Sequence, residues 1–318
     1  LALPDGRVLW TFQDAFLPKP SGGVTMVHSA GLVQYGNCFS QLGAGASSPT
    51  AWLLPDRTTP YRHWFWPLAA TMGSDGDVRV FVAEMRERGS HYLDKVEPVA
   101  TWVVRLRFSD LQVVEARPAA DSSPSLYGWS VTSDADWTYL YGYCYRQFGW
   151  DPLPFGGPAS RAHDFGCSAD VHVARVPRGH LDDPLRYWDG RAWGTDPSAA
   201  VAVMPTAGRP INPAQIQRVG GVFLAVTKQG DWFGDTITVD QSPSAHGPWT
   251  PVTTLRATPL CEDCNTYFAS FIAAPSRDGQ IVVGLSNNMW SGELSTWYRP
   301  TILTVGLPST ARGSGSIR

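Results

Sequence analysis

The run Leu126–Tyr145 reads LYGWSVT, SDAD, WTYLYGYCY. An aromatic and β-branched stretch meets four turn-forming residues and returns as a second such stretch. That is a strand, a tight turn and a strand. Working outward, the same unit recurs. Upstream, Tyr61–Ala70 (YRHWFWPLAA) leads through Ser74-Asp75-Gly76-Asp77 into Val78–Met85 (VRVFVAEM). Downstream, Ile211–Arg218 passes Gly220-Gly221 into Val222–Lys228 (VFLAVTK). Tyr267–Ala274 passes Pro275–Gly279 into Gln280–Ser286. Third strands are expected at Thr101–Phe108, Asp170–Val176, Asp235–Gln241 and Thr301–Val305. Helical periodicity is almost absent.

The first block carries the same signal at Val8–Leu17 (VLWTFQDAFL), between the turn Pro4-Asp5-Gly6 and the ladder-stopping Pro18 and Pro20. Val24–Tyr35 reads as a further strand with His28 in it. The second strands thus centre near residues 10, 81, 140, 224 and 283. Four-stranded units of roughly 40–50 residues repeated radially are propeller blades, and longer loops stretch the spacing here. A sandwich also has many short strands. Five recurrences of one unit favour an all-β, five-bladed propeller folded as a single domain. Its blades fall at about 1–55, 56–120, 121–200, 201–255 and 256–318. The first strand of each blade lines the central channel. Val8–Phe16 matches the second strands, so its channel strand is expected to end around Leu1–Leu3. The chain starts at Leu1 in mid-pattern, and residues upstream are expected.

The composition narrows the function. Of 318 residues, Gly 31 and Pro 26 imply many turns; Trp 14, Tyr 11 and Phe 13 can build a core and line a sugar groove. A net charge of −3 argues against nucleic acid as partner. No run reaches the roughly 18–20 apolar residues of a membrane span. No nucleophile elbow surrounds Ser29, Ser130 or Ser270, and no phosphate-binding glycine motif stands in context. Cys261-Glu262-Asp263-Cys264 is a lone CxxC without a second zinc-ligand pair or a βαβ setting. His163-Asp164 and His172 lack metal-ligand spacing, so neither metal nor cofactor is assigned. In an exported protein Cys144–Cys167 and Cys261–Cys264 disulfides are expected, with Cys38 left over; otherwise all five cysteines stay reduced.

Asp14 is the candidate catalytic residue. A carboxylate at the end of an aromatic strand is costly unless paired, hydrated or used; the alternative is that it caps a turn. Glycoside cleavage needs two carboxyls flanking the bond, in an environment that splits their roles. Asp164, Asp170 and Glu84 are the other acids considered, each with a turn or strand-surface alternative. Trp64 and Trp66 share a face: on the channel they would stack on sugar, between blades they would be core. His28 is a substrate-binding candidate or a hydrogen-bonded core histidine. Asn212, Gln215, Lys228, Tyr267, Asn287 and Asn288 lie on or beside strands of the last two blades and suit a neutral polyol, or ordinary turn capping.

Leu3–Leu17, Val173-Ala174-Arg175-Val176-Pro177, Tyr187–Trp193 and His246-Gly247-Pro248-Trp249 resemble the actinobacterial endo-D-arabinanase family over nearly the whole chain. The resemblance implies a five-bladed propeller that cuts the D-arabinan of mycobacterial-type arabinogalactan and lipoarabinomannan, secreted or held in the cell envelope, as a monomer. It also implies a pair of acids from the first blade: Asp14, and one in a Gly-x-Asp-Gly segment ahead of Leu1. Gln13 and Ala15 stand where that family has glycine and threonine. The alternatives are a carbohydrate-binding propeller without catalysis, or another propeller sugar hydrolase such as an L-arabinanase. A sialidase would show Ser-x-Asp-x-Gly-x-x-Trp repeats, which Ser133–Trp137 does not fit.

Overall fold

The computed structural model describes residues 1–19, 21–43, 51–53, 62–87, 96–119, 125–143, 170–204, 214–229, 234–262, 264–272, 279–289 and 298–307. They form the five antiparallel blades of a β-propeller. Blade one comprises β1 (Val8–Phe12), β4 (Ala30–Tyr35) and β5 (Cys38–Gln41). Between its first two members it carries a separate hairpin of β2 (Ala15–Pro18) and β3 (Val24–Val27). Blade two is β6 (His63–Met72), β7 (Val78–Glu87), β8 (Val96–Leu106) and β9 (Val113–Pro118). Blade three is β10 (Ser130–Ser133), β11 (Trp137–Gly142), β12 (His172–Pro177), β13 (Arg186–Trp188) and β14 (Trp193–Gly194). Blade four is β15 (Gln215–Val219), β16 (Val222–Gln229), β17 (Thr236–Ser242) and β18 (Thr250–Arg256). Blade five is β19 (Cys264–Phe271), β20 (Gln280–Met289) and β21 (Pro300–Gly306).

The sequence of each hairpin explains its turn. Gly220 and Gly221 join β15 to β16 at φ +58° and +93°, the left-handed pair that a two-residue hairpin turn demands. In β16 both faces are buried. On one face Phe223 and Ala225 pack with Ile216 of their own blade and Tyr139 and Val173 of blade three; on the other, Leu224 and Val226 pack with Ile237 of their own blade and Val283 and Leu285 of blade five. Alternation sends successive side chains to opposite faces. A strand between two blades therefore reads as a continuous apolar run. Leu9, Phe65, Val80 and Val82 fill the space between blades one and two, and Phe81, Val131, Leu140 and Ala174 that between two and three.

Strands β6, β10, β15 and β19 stand at the inner edges of their sheets and surround the channel. In blade one the inner position is taken by Leu1–Leu3. Leu1 and Leu9 exchange backbone hydrogen bonds of 2.8 Å, and Ala2 bridges Val8 on the edge of β1 opposite β4. The inner strands all start at one end, which we call the upper end; there lie His63, Ser130, Gln215 and Cys264, with the closing ends of β7, β11, β16 and β20.

The pattern predicts single strands over Val8–Leu17 and Val24–Tyr35. The structure breaks both at the upper end, at Gln13-Asp14 and at His28-Ser29, and folds the intervening residues out as the β2–β3 hairpin. Cys261 and Cys264 form a disulfide, and Cys38 is a free, exposed thiol. Cys144 and Cys167 lie outside the described residues. No helix among the described residues is long and apolar enough to cross a membrane.

Candidate active site

The channel is a cavity of about 1060 Å³, lined from both ends and by residues of all five blades. Asp14 enters it from the root of the β2–β3 hairpin. Its Oδ1 accepts two hydrogen bonds: from His28 Nδ1 at 2.8 Å and from Trp66 Nε1 at 3.0 Å. Its Oδ2 has no partner among the described residues, and the side chain keeps 21% of its surface exposed. One oxygen is thus anchored and the other is open. Asp14 is the sole carboxylate among the described residues lining this cavity.

The local fold brings these groups together. His28 sits at the other foot of the hairpin, so the two breaks in blade one face each other. The His28 ring stacks on Trp64, with centroids 4.6 Å apart and planes 28° from parallel. Trp64 and Trp66, two apart on β6, meet edge to face at 6.2 Å. Just beyond them β6 bulges between Pro67 and Ala70. Pro67 has no N–H to donate to the ladder, and its carbonyl accepts a hydrogen bond from Gln13 Nε2 at 3.3 Å. The bulge delivers Leu68 and Ala69 to the channel wall.

An aromatic wall from blade five also lines the channel. Tyr267 and Tyr298 stack at 6.1 Å, and their hydroxyls hydrogen-bond at 2.6 Å. Phe16 of β2 meets Tyr298 edge-on at 5.5 Å and links the hairpin of blade one to blade five. Across the channel wall, Trp129 of blade three approaches Phe268 of blade five at 6.3 Å.

The other sequence candidates are placed as follows. Trp64 is 5% exposed and belongs to the core with Met85, Leu126 and Trp129. Gln215 lines the channel, but its Nε2 is tied to the Trp129 carbonyl at 2.9 Å. Lys228 is buried and its Nζ donates to the Thr266 carbonyl between blades four and five. Asn287 lines the channel wall with its Nδ2 held by the Arg299 carbonyl and Thr301 Oγ1, both at 2.9 Å. Asn288 is half-buried at the upper end of β20, paired in register with Asn265. Glu84 is fully buried, bonded by His63 Nδ1 and by Trp102 Nε1, each at 2.7 Å, and is not on the channel. Asp170, half-buried, is not on it either. Asn212 and Asp164 lie outside the described residues. Phe16, Trp129 and Tyr298 are channel residues that the sequence analysis missed. The period-two pattern of LYGWSVT and the Tyr-Arg-Pro lead into β21 were the available signals. Among the described residues no group of three or more His, Cys, Asp or Glu is placed to hold a metal ion.

The fold has counterparts among solved structures. A candidate hydrolase from Bacteroides ovatus superposes with a TM-score of 0.71 at 15% identity, over 95% of this chain and 83% of that one. A GH43_1 enzyme from Xanthomonas citri superposes with a TM-score of 0.50 at 14% identity, over 95% and 89%. At such identities the likeness is one of fold. No curated protein matches the chain. The family model described as a domain of unknown function, DUF5005, matches residues 1–303.

Proposed function

The chain belongs to the DUF5005 family, and we propose that its channel is the active site of a glycoside hydrolase that cleaves D-arabinan internally. One observation carries the reading: Asp14 presents a free carboxylate oxygen into an aromatic-walled channel while two N–H donors hold the other. A carboxylate so fixed can deprotonate a water, attack an anomeric carbon or serve a leaving oxygen. The wall supports a neutral, hydroxyl-rich ligand. Rings at Phe16, Tyr267 and Tyr298 offer stacking area, and the paired phenols offer donors and acceptors to sugar hydroxyls. The solved counterparts include a GH43_1 enzyme and a candidate hydrolase, which agrees with this reading. D-arabinan as substrate, and action in the cell envelope or outside the cell, rest on the resemblance of Leu3–Leu17 and the later motifs to the endo-D-arabinanases.

The test is release of soluble arabino-oligosaccharides from mycobacterial arabinogalactan, read by chromatography. We expect release by the wild type and none by Asp14→Asn. Release by both would remove Asp14 from the mechanism. A second reading is a carbohydrate-binding propeller, favoured by Asp14 being the sole carboxylate on the described channel wall. It predicts retention of the protein on the polymer with no products.

A further inference from the structure

We infer that His28 and Trp66 are positioning residues for Asp14: they fix its carboxylate plane so that Oδ2, and not Oδ1, meets the substrate. Trp66 Nε1 is only a donor, so the atom it meets at 3.0 Å is an acceptor. His28 Nδ1 meets the same oxygen at 2.8 Å. Two donors on one oxygen, from two different chain segments, define a direction as well as a place. Either alone leaves the carboxyl free to swing about χ2, a broad torsion for Asp.

The support for His28 is itself built in. Its ring is clamped by the 4.6 Å stack on Trp64, which is 5% exposed. Trp64 holds that place with its own Nε1 buried and without a hydrogen-bond partner among the described residues, which is unfavourable for a buried donor. The order of support runs from the core through Trp64 to His28, to Asp14, and then to the channel. His28 does not line the cavity, whereas Asp14 does. The structure therefore assigns His28 to acting on Asp14 and not on sugar, a role distinct from both of those the sequence leaves open for it, a substrate contact and a hydrogen-bonded core histidine.

The inference rests on the proposed hydrolase reading, so two readouts separate them. The first needs no substrate. In 1H–15N spectra the Trp66 indole signal is identified by its loss in Trp66→Phe. Asp14→Ala is expected to move that signal upfield and to hasten exchange of a protected imidazole N–H that His28→Leu abolishes. Signals unmoved by Asp14→Ala would overturn the inference, whatever the activity. The second is kinetic, on arabinogalactan. His28→Leu and Trp66→Phe are each expected to lower kcat about 10–100-fold, the scale of a small misplacement of a reacting group, with KM unchanged. His28→Asn, which returns an N–H donor near the Nδ1 position, is expected to recover most of kcat. A raised KM at constant kcat would make His28 a substrate contact; equal losses in the Leu and Asn variants would make it merely structural. Either result overturns the inference. Should the wild type leave the polymer intact, the hydrolase reading falls and the spectra alone decide the positioning.

Discussion

The two oxygens of Asp14 have different surroundings: Oδ1 is held by His28 and Trp66, and Oδ2 has no partner among the described residues. Asn at position 14 keeps an acceptor for His28 and Trp66, so Asp14→Asn is expected to melt within a degree or two of the wild type while losing turnover. A large drop in melting temperature would mean the anchor depends on charge. Gly128 sets the opposite kind of constraint. Its φ is +111°, and a Cβ there would fall 2.6 Å from the Phe81 ring. Gly128→Ala is therefore expected to cost more than about 1 kcal/mol in urea unfolding, since strain and a clash coincide. That Asp14 stands out as a carboxylate in an aromatic run was legible in the sequence, and the structure places it on the channel wall. Its partners were not legible. Nothing in residue order brings position 28 or 66 to position 14; only the folded hairpin and the adjacent blade do so.

Among the elements, β16 shows why the blades could be read and the hairpin could not. Its run VFLAVTK is buried on both faces, and a long apolar run between glycine turns is a strong local signal. The β2–β3 arm lacks such a mark. Apolar character continues from Val8 through Leu17 across the break at Asp14, so periodicity alone predicts one strand where there are two. The burial in β16 has a measurable weight: Leu224 has no exposed surface, and Leu224→Ala is expected to cost about 2–5 kcal/mol. A cost below about 1 kcal/mol would mean that blades four and five collapse onto the gap. Phe16→Ala removes the edge contact of the arm to Tyr298. It is expected to impair turnover or polymer retention far more than stability, because Phe16 is only half-buried.

For the whole molecule, the response to acid should come in two stages. Burial holds the His172 and His246 imidazoles below their ordinary value, so the folded state resists protonation that the unfolded chain accepts. Stability is then full above about pH 6.5 and falls as pH drops below it. The second stage involves carboxyls. A hydrogen bond from Arg79 lowers Asp75. Burial raises Asp134, but the Tyr139 hydroxyl and the backbone N–H groups of Trp137 and Asp136 outweigh it, and the net shift is downward. Their contribution is present above the usual carboxylate range, about pH 4, and is lost below it. Urea midpoints at pH 7.5, 5.5 and 3.5 should fall in steps. Replacing both histidines by Phe should flatten the first step, and Asp134→Asn the second; an unchanged first step would mean other groups set it. The position of the Asp14–His28 pair has a last consequence. It closes the neck of the β2–β3 hairpin, whose described outer residues Lys19 and Ser21–Gly23 are exposed. Closing a loop grows costlier only with the logarithm of its length, so the tip can lengthen, shorten or change composition with little penalty. The clasp at the neck has no such latitude. The length of the arm and the geometry of the clasp at its foot can thus vary independently, within one short insertion.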